Sequence, residues 1–384
     1  MPYYRSVGEV PRKRHVQFRQ EDDSLYAEEL MGEEGFSSDS ALLYHRHLPT
    51  AIINAVAVEQ SDARLAPPDV LLPRHILTHK LPPGGDVVSG RAVLMGNANV
   101  QISYVAATRD SGLYRDADGD QLLYIESGSG RLESVFGRLE VFSGDYVRVP
   151  AGATHRWVVS DGTLRALVVE ARGHITPPSK YLSKRGQFLE GAPYCERDLR
   201  APVEPLVVQS GATDVLVRRR GKLTTYTYAS HPFDVVGWDG CLYPYALSIH
   251  DFEPITGRVH QPPPVHQTFS GPGFVVCSFV PRKLDYHPMA VPIPYNHANV
   301  DSDEVIFYVE GDFTSRADSG IGPGSISLHP SGFVHGPQPG SVERALGKDA
   351  TDELAVMVDT FAPLDLAPAA YEVEDTAYPW TWAR

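Results

Sequence analysis

The chain has 384 residues, 42% of them hydrophobic and 21% charged, so it can build a large core, and wholesale disorder is excluded. Its formal net charge is −14 with no basic stripe, so nucleic acid is not expected as a partner and the charge serves solubility. The length suits two domains or one large one, and 33 glycines and 32 prolines favour many short strands between turns.

Cys195, Cys241 and Cys277 are far apart and form no Cys-x-x-Cys pair. A disulfide scaffold and a thiolate zinc site are therefore not expected, and a reducing compartment is. The opening MPYYRSVGEVPRKRHVQF lacks the apolar core of about 7–15 residues that a signal peptide needs. No window approaches about 18 uninterrupted apolar residues, so no membrane association is expected and the location expected is the cytoplasm.

Residues 1–35 are charged and irregular, and the short basic cluster at 11–15 (PRKRH) reads as a solvated arm. Asp23–Leu30 (DSLYAEEL) has the Asp/Ser start of a short capped helix. ALLYHRHLPTAI at 41–52 reads as extended. From 68 to 172, runs of four to eight residues alternate between Gly-rich turns: QISYVAAT at 101–108, QLLYIE at 121–126, GDYVRVPAGATH at 144–155. That pattern predicts an antiparallel barrel or sandwich. Residues 173–206 are rich in proline and charge with weak periodicity, so the domain boundary is placed near 205. Strand patterning resumes at 215–229 and continues through GFVVCSFVPR at 273–282 to ELAVMVDTFAPL at 353–364, ahead of an acidic, aromatic tail.

An internal repeat organises this pattern. GDQLLYIESGSG at 119–130 is similar to SDEVIFYVEGDF at 302–313, and GDYVRVPAGATH at 144–155 to GSISLHPSGFVH at 324–335. Each pair is a strand ending in Gly, then a strand, Pro-x-Gly, two residues and His. This resembles the cupin double motif, present twice. The resemblance implies an all-β bicupin, two jelly-roll β-barrel domains with few short helices. Residues 1–205 would be an arm and a metal-free cupin, and 206–384 a metal-binding cupin.

In the second copy His297, Glu304 and His335 stand at cupin spacing. Strand alternation turns Glu304, Ile306 and Tyr308 to one face and Val305, Phe307 and Val309 to the other. A carboxylate inside a small barrel is costly unless paired, and a metal would resolve the cost. Taken singly, His297 and Glu304 read as well as a buried hydrogen-bonded pair. Asp303 is the rival carboxylate, six residues after His297 where Glu304 is seven. Two imidazoles and a carboxylate suit Fe(II), Mn(II) or Zn(II), and open positions favour oxygen chemistry on iron. His329 can support this shell by hydrogen bonding. The first copy keeps His155, but residues 112–121 supply no His, which makes His155 structural.

LYAEEL at 25–30, LYHRHLPT at 43–50, APYCERDL at 192–199, WDGCLYPY at 238–245, HQPPPVHQTF at 260–269 and SLHPSGFVHGP at 327–337 together resemble the homogentisate 1,2-dioxygenase family over most of the chain. The resemblance implies Fe(II) held by His297, Glu304 and His335, and opening of homogentisate (2,5-dihydroxyphenylacetate) or a related hydroquinone by O2. The product would be of maleylacetoacetate type, in tyrosine and phenylalanine catabolism. It implies that His260 assists substrate deprotonation, with His266 as competitor. Phe313 and Arg316 stand where typical members carry a Tyr and a Lys near the substrate carboxylate, and the chain has one residue more between its first His and its Glu. A homo-oligomer, trimer or hexamer, is implied by resemblance only. The alternatives are another cupin enzyme, gentisate-like dioxygenase or Zn/Mn isomerase, or a non-catalytic bicupin binding protein.

Overall fold

Period-two alternation is cleanest where only one face is covered. In Gly137–Phe142, Leu139 and Val141 are buried while Arg138, Glu140 and Phe142 are exposed. Asp145–Val149 is buried throughout and Gln121–Ser127 and Leu164–Ala171 nearly so, because both of their faces are covered. The computed structural model describes residues 3–59, 64–160 and 162–383. The chain is all-β, and among the described residues its α-helices are the five-residue Ser341–Ala345 and Pro368–Glu372. No helix among them is long and apolar enough to cross a membrane.

An eight-stranded and a seven-stranded sheet build the first half, and a six-stranded sheet builds the second. The order in the six-stranded sheet is Gln267–Gly271, Phe274–Phe279, Leu354–Thr360, Asp303–Glu310, Ser325–His329, Arg74–Leu77. Its outer face packs on the eight-stranded sheet through aromatic rings. Phe307 lies 6.1 Å from Tyr104 and 6.3 Å from Tyr124, and Phe269 lies 5.4 Å from Tyr146, between ring centroids.

The repeat is visible in three dimensions. Gly128 (φ +87°) and Gly311 (φ +94°) end equivalent strands, and a Cβ there would sit 2.5 Å from the Thr163 carbonyl oxygen or 2.1 Å from that of Asp352. Both positions therefore require glycine.

Two expectations change. Asp23–Leu30 is not a helix: Asp22 accepts the Ser24 amide and hydroxyl in a turn, Asp23 has φ +68°, and Ala27–Gly32 is a strand paired with Ser40–His45. Asp22 and Ser24 form an Asx turn instead. The sheets also do not part at residue 205. Thr213–Arg219, Lys222–Tyr228 and Tyr245–Ser248 all pair within the first half's sheets. The connection before them is pinned rather than free, with Tyr181, Phe188 and Tyr194 in the core. Two strands trade places. Arg74–Leu77, early in the chain, edges the second half's sheet, and Asp365–Leu366, near its end, edges the first half's.

Candidate metal centre

Strand Asp303–Glu310 sets the site. Val305 and Phe307 enter the core between the halves, while Ile306 and Tyr308 join a separate cluster on the inner face. Glu304 shares that inner face. Register places it between His329 on one neighbouring strand and Asp359 on the other. Two loop segments cross above. His297 and His335 face each other in an antiparallel bridge, each amide donating to the other's carbonyl at 2.8 Å. The Pro-x-Gly turn that delivers His335 is tied down by the Gly332 amide, which donates to the Asn299 carbonyl at 2.7 Å.

These constraints aim the rings. Nδ1 of His297 donates to the Tyr295 carbonyl (3.0 Å), and Nδ1 of His335 to the Phe333 carbonyl (3.1 Å). Each Nε2 then turns its lone pair to the carboxylate, at 3.6 Å from Glu304 Oε2 for His297 and 3.4 Å from Oε1 for His335. The three ligand atoms all lie within 4.8 Å of one another. Metal–ligand bonds of about 2.1 Å at right angles would place ligand atoms ~3 Å apart, so the set is close to the dimensions a first-row ion needs. His335 Nε2 is buried without a hydrogen-bond partner and so is free to bind an ion. The donor set fits a metal ion.

The electrostatics agree. Glu304 is only 6% exposed, and burial alone would raise its pKa. The three imidazoles gathered around it, His297, His329 and His335, instead hold it well below the usual carboxylate range. The same pairing with Glu304 raises His297. His329 is fully buried and pushed down to about 3 by desolvation. As a neutral ring it donates from Nδ1 to Glu304 Oε1 (2.8 Å) and accepts at Nε2 from the Tyr378 hydroxyl (3.0 Å). It also stacks on His335 at 4.2 Å. Both nitrogens are committed, so His329 orients the ligands and does not face a substrate.

Asp303 has a different task. Its Oδ1 accepts the Ser331 amide (2.7 Å) and its Oδ2 the Leu364 amide (2.8 Å). The first half repeats this at Asp120, whose oxygens accept the Ala151 and Ile175 amides, both at 2.8 Å. The rival carboxylate is thus a clasp common to both halves, and Glu304 alone of the two reaches the imidazoles. The ligand positions of the first half hold Tyr114, Gln121 and His155. Tyr114 bridges His155 as His297 bridges His335, and His155 Nδ1 bonds the Ala153 carbonyl at 2.9 Å. The scaffold is intact there and two of the three ligands are not.

The remaining candidates separate. His260 is half-exposed (52% for its side chain), with Nδ1 on Asp285 Oδ2 at 2.9 Å and its ring 5.6 Å from Tyr295. It lines a cleft of about 730 Å³ with Ile293, Tyr295 and Asn296, the residues leading to His297, and Pro337 beyond His335. His266 is buried against Phe279 (4.7 Å), is pushed down to about 3 by desolvation, and does not line this cleft. Phe313 packs edge-on against Tyr308, and the buried Arg316 spends Nε on the Tyr308 hydroxyl (3.1 Å) and Nη1 on the Gly336 carbonyl (2.8 Å). Arg316 thus braces the segment after His335. Tyr378 and Trp382 were not anticipated. Trp382 Nε1 donates to the Gly336 carbonyl (3.1 Å) and its ring abuts His329. Only the aromatic character of the tail signalled them. Asp359, beside Glu304, also carried no sequence signal; burial and then the Glu304 charge raise it to about 7.

Fold and site together define a bicupin with a candidate metal centre in its second half; among the described residues Glu33, Asp120 and His174 also converge in the first half, where Arg148 already pairs with both carboxylates. Residues 86–249 match the family model described as homogentisate 1,2-dioxygenase N-terminal. The chain is 41% identical over 395 residues to a Saccharolobus solfataricus protein named "Putative dioxygenase", covering 100% of this chain and 99% of that one. It is 28% identical over 261 residues to the homogentisate 1,2-dioxygenase of Emericella nidulans (64% of this chain, 56% of that one). The corresponding enzyme of Bradyrhizobium diazoefficiens is 27% identical over 263 residues (65% and 57%). The chain therefore matches just over half the length of those two homogentisate dioxygenases. It belongs to the homogentisate dioxygenase-like family, as a divergent member.

Proposed function

We propose that the chain is a non-haem Fe(II)-dependent dioxygenase that opens the ring of homogentisate or a related hydroquinone with O2. The observation that carries this reading is the convergence of His297 Nε2, Glu304 and His335 Nε2 beside an accessible cleft, with both Nδ1 atoms pinned. Fe(II) held there would supply a Lewis acid to a phenol and a redox centre for O2. The chain's residues would do the rest. The cleft is within the size range of small-molecule sites and is lined by Val259, Ile293 and Tyr295, surfaces that suit an aromatic ring. His260 would take the phenol proton on Nε2, since Asp285 holds Nδ1 and fixes the tautomer. His329, Arg316, Tyr378 and Trp382 would keep the ligand segments in place from behind.

Iron-loaded protein, reduced anaerobically and then given O2 with homogentisate, gentisate or unsubstituted hydroquinone, is expected to consume oxygen with at least one of them. His297→Ala and Glu304→Ala are expected to abolish uptake. No uptake with any hydroquinone at full iron occupancy sinks the proposal.

A further inference from the structure

The two halves provide an internal control. In the first, Gln121 stands in register with Glu170; in the second, Glu304 stands in register with Asp359, one residue before the end of the equivalent strand. Glu170 and Asp359 are therefore counterparts, each beside its half's ligand carboxylate position. Glu170 is saturated. Arg91 Nη1 donates to Oε1 at 2.8 Å, Arg218 pairs with the same oxygen, and Gln101 Nε2 donates to Oε2 at 2.8 Å. Two guanidiniums thus neutralise Glu170.

Asp359 has none of these partners. It makes no ion pair among the described residues, and its Oδ1 is buried without a hydrogen bond. Its cross-strand neighbours on the inner face are Glu304 and Val275, on the flank of Glu304 opposite His329. The residue as a whole is only partly buried, although Oδ1 itself is enclosed. A carboxyl kept beside a ligand carboxylate, without the cations its counterpart has, is placed to receive a hydrogen-bond donor from outside the chain.

We propose that Asp359 is a substrate-binding residue whose carboxyl holds a ring hydroxyl of the substrate, and that it selects hydroxylated rings with no carboxylate on that side. This rests on reading the site as a hydroxyarene dioxygenase and narrows its substrate class. A second carboxylate brought against Asp359 and Glu304 would be repelled, whereas a phenolic hydroxyl would satisfy Oδ1.

The test uses full-length, iron-loaded protein under anaerobic conditions, so that binding is read without turnover. Dissociation constants for hydroquinone, 4-methoxyphenol and homogentisate are measured by calorimetry for wild type, Asp359→Asn and Asp359→Leu, with iron content and thermal midpoint recorded for each. Both variants are expected to keep wild-type iron content. Hydroquinone binding should weaken by about 10-fold in Asp359→Leu and less in Asp359→Asn, which keeps an acceptor. The preference for hydroquinone over homogentisate should fall in both. Unchanged hydroquinone affinity in a folded Asp359→Leu overturns the proposal, as does iron loss in both variants, which would make Asp359 a ligand. Absence of hydroquinone binding by wild type also overturns it. Should binding change as expected while oxygen uptake is absent, the binding role stands and the dioxygenase reading falls.

Discussion

Asp303→Ala separates the two adjacent carboxylates, because Asp303 and Glu304 differ in what they hold. Alanine at 303 strands two amides, those of Ser331 and Leu364, which the carboxylate accepts at 2.7 and 2.8 Å. Asp303 is 4% exposed, so water cannot readily replace it. Orphaning a buried polar group costs about 1–3 kcal/mol, so two amides amount to about 2–6 kcal/mol. That is a large share of the roughly 5–15 kcal/mol that domains hold in reserve. Urea denaturation followed by tryptophan fluorescence, with iron content measured below the transition, reads both quantities. Asp303→Ala is expected to lower stability by that amount and to retain iron in its folded fraction. Glu304→Gln is expected to do the opposite, staying folded and losing iron. The reasoning is refuted if Asp303→Ala unfolds within about 1 kcal/mol of wild type, a difference too small for two buried amides, or if the two variants exchange phenotypes.

Other outcomes follow from the same geometry. His335→Ala should weaken iron binding by at least about 100-fold, above the 10–100-fold typical of groups that only orient ligands, as measured by competition with a chelator. His155→Leu should leave iron stoichiometry and oxygen uptake unchanged, because Tyr114 and Gln121 occupy the other ligand positions of that half. His260→Ala should lower kcat about 10²–10⁴-fold with iron content intact, read in an oxygen electrode. His45 supplies a pH test away from the site. Burial opposes its protonation, but hydrogen bonds to Asp234 (2.6 Å) and Glu29 (2.9 Å) raise it to about 9. A folded pKa above the unfolded value near 6.5 means the stabilisation is complete below about pH 6.5 and fades as pH climbs through about 9. The thermal midpoint should fall over that window, and Asp234→Asn should flatten the fall.

The site was legible wherever chemistry and spacing act locally. Glu304 lies on a strand whose alternation is visible residue by residue, and His335 follows a Pro-x-Gly turn that occurs twice. The choice between Asp303 and Glu304 was not legible, because it depends on the Leu364 amide some sixty residues away. Asp359 escaped notice because Glu304 becomes its neighbour only through strand register. Asp23–Leu30 misled for a local reason: the Asp and Ser that cap helices also close Asx turns, and pairing with Ser40–His45 decided between them. The stretch before 205 reads as a linker by composition, yet buried tyrosines and a phenylalanine fasten it to the core.

The exchanged edge strands limit how this chain can be divided. Arg74–Leu77 closes one sheet and Asp365–Leu366 the other, so any single cut between them leaves each fragment without a piece of itself. A nick within the stretch 173–206 would give two pieces that stay clasped, since each carries the other's missing strand. The duplicated halves are consequently not interchangeable cassettes. Each half is completed by a segment from the far end of the chain.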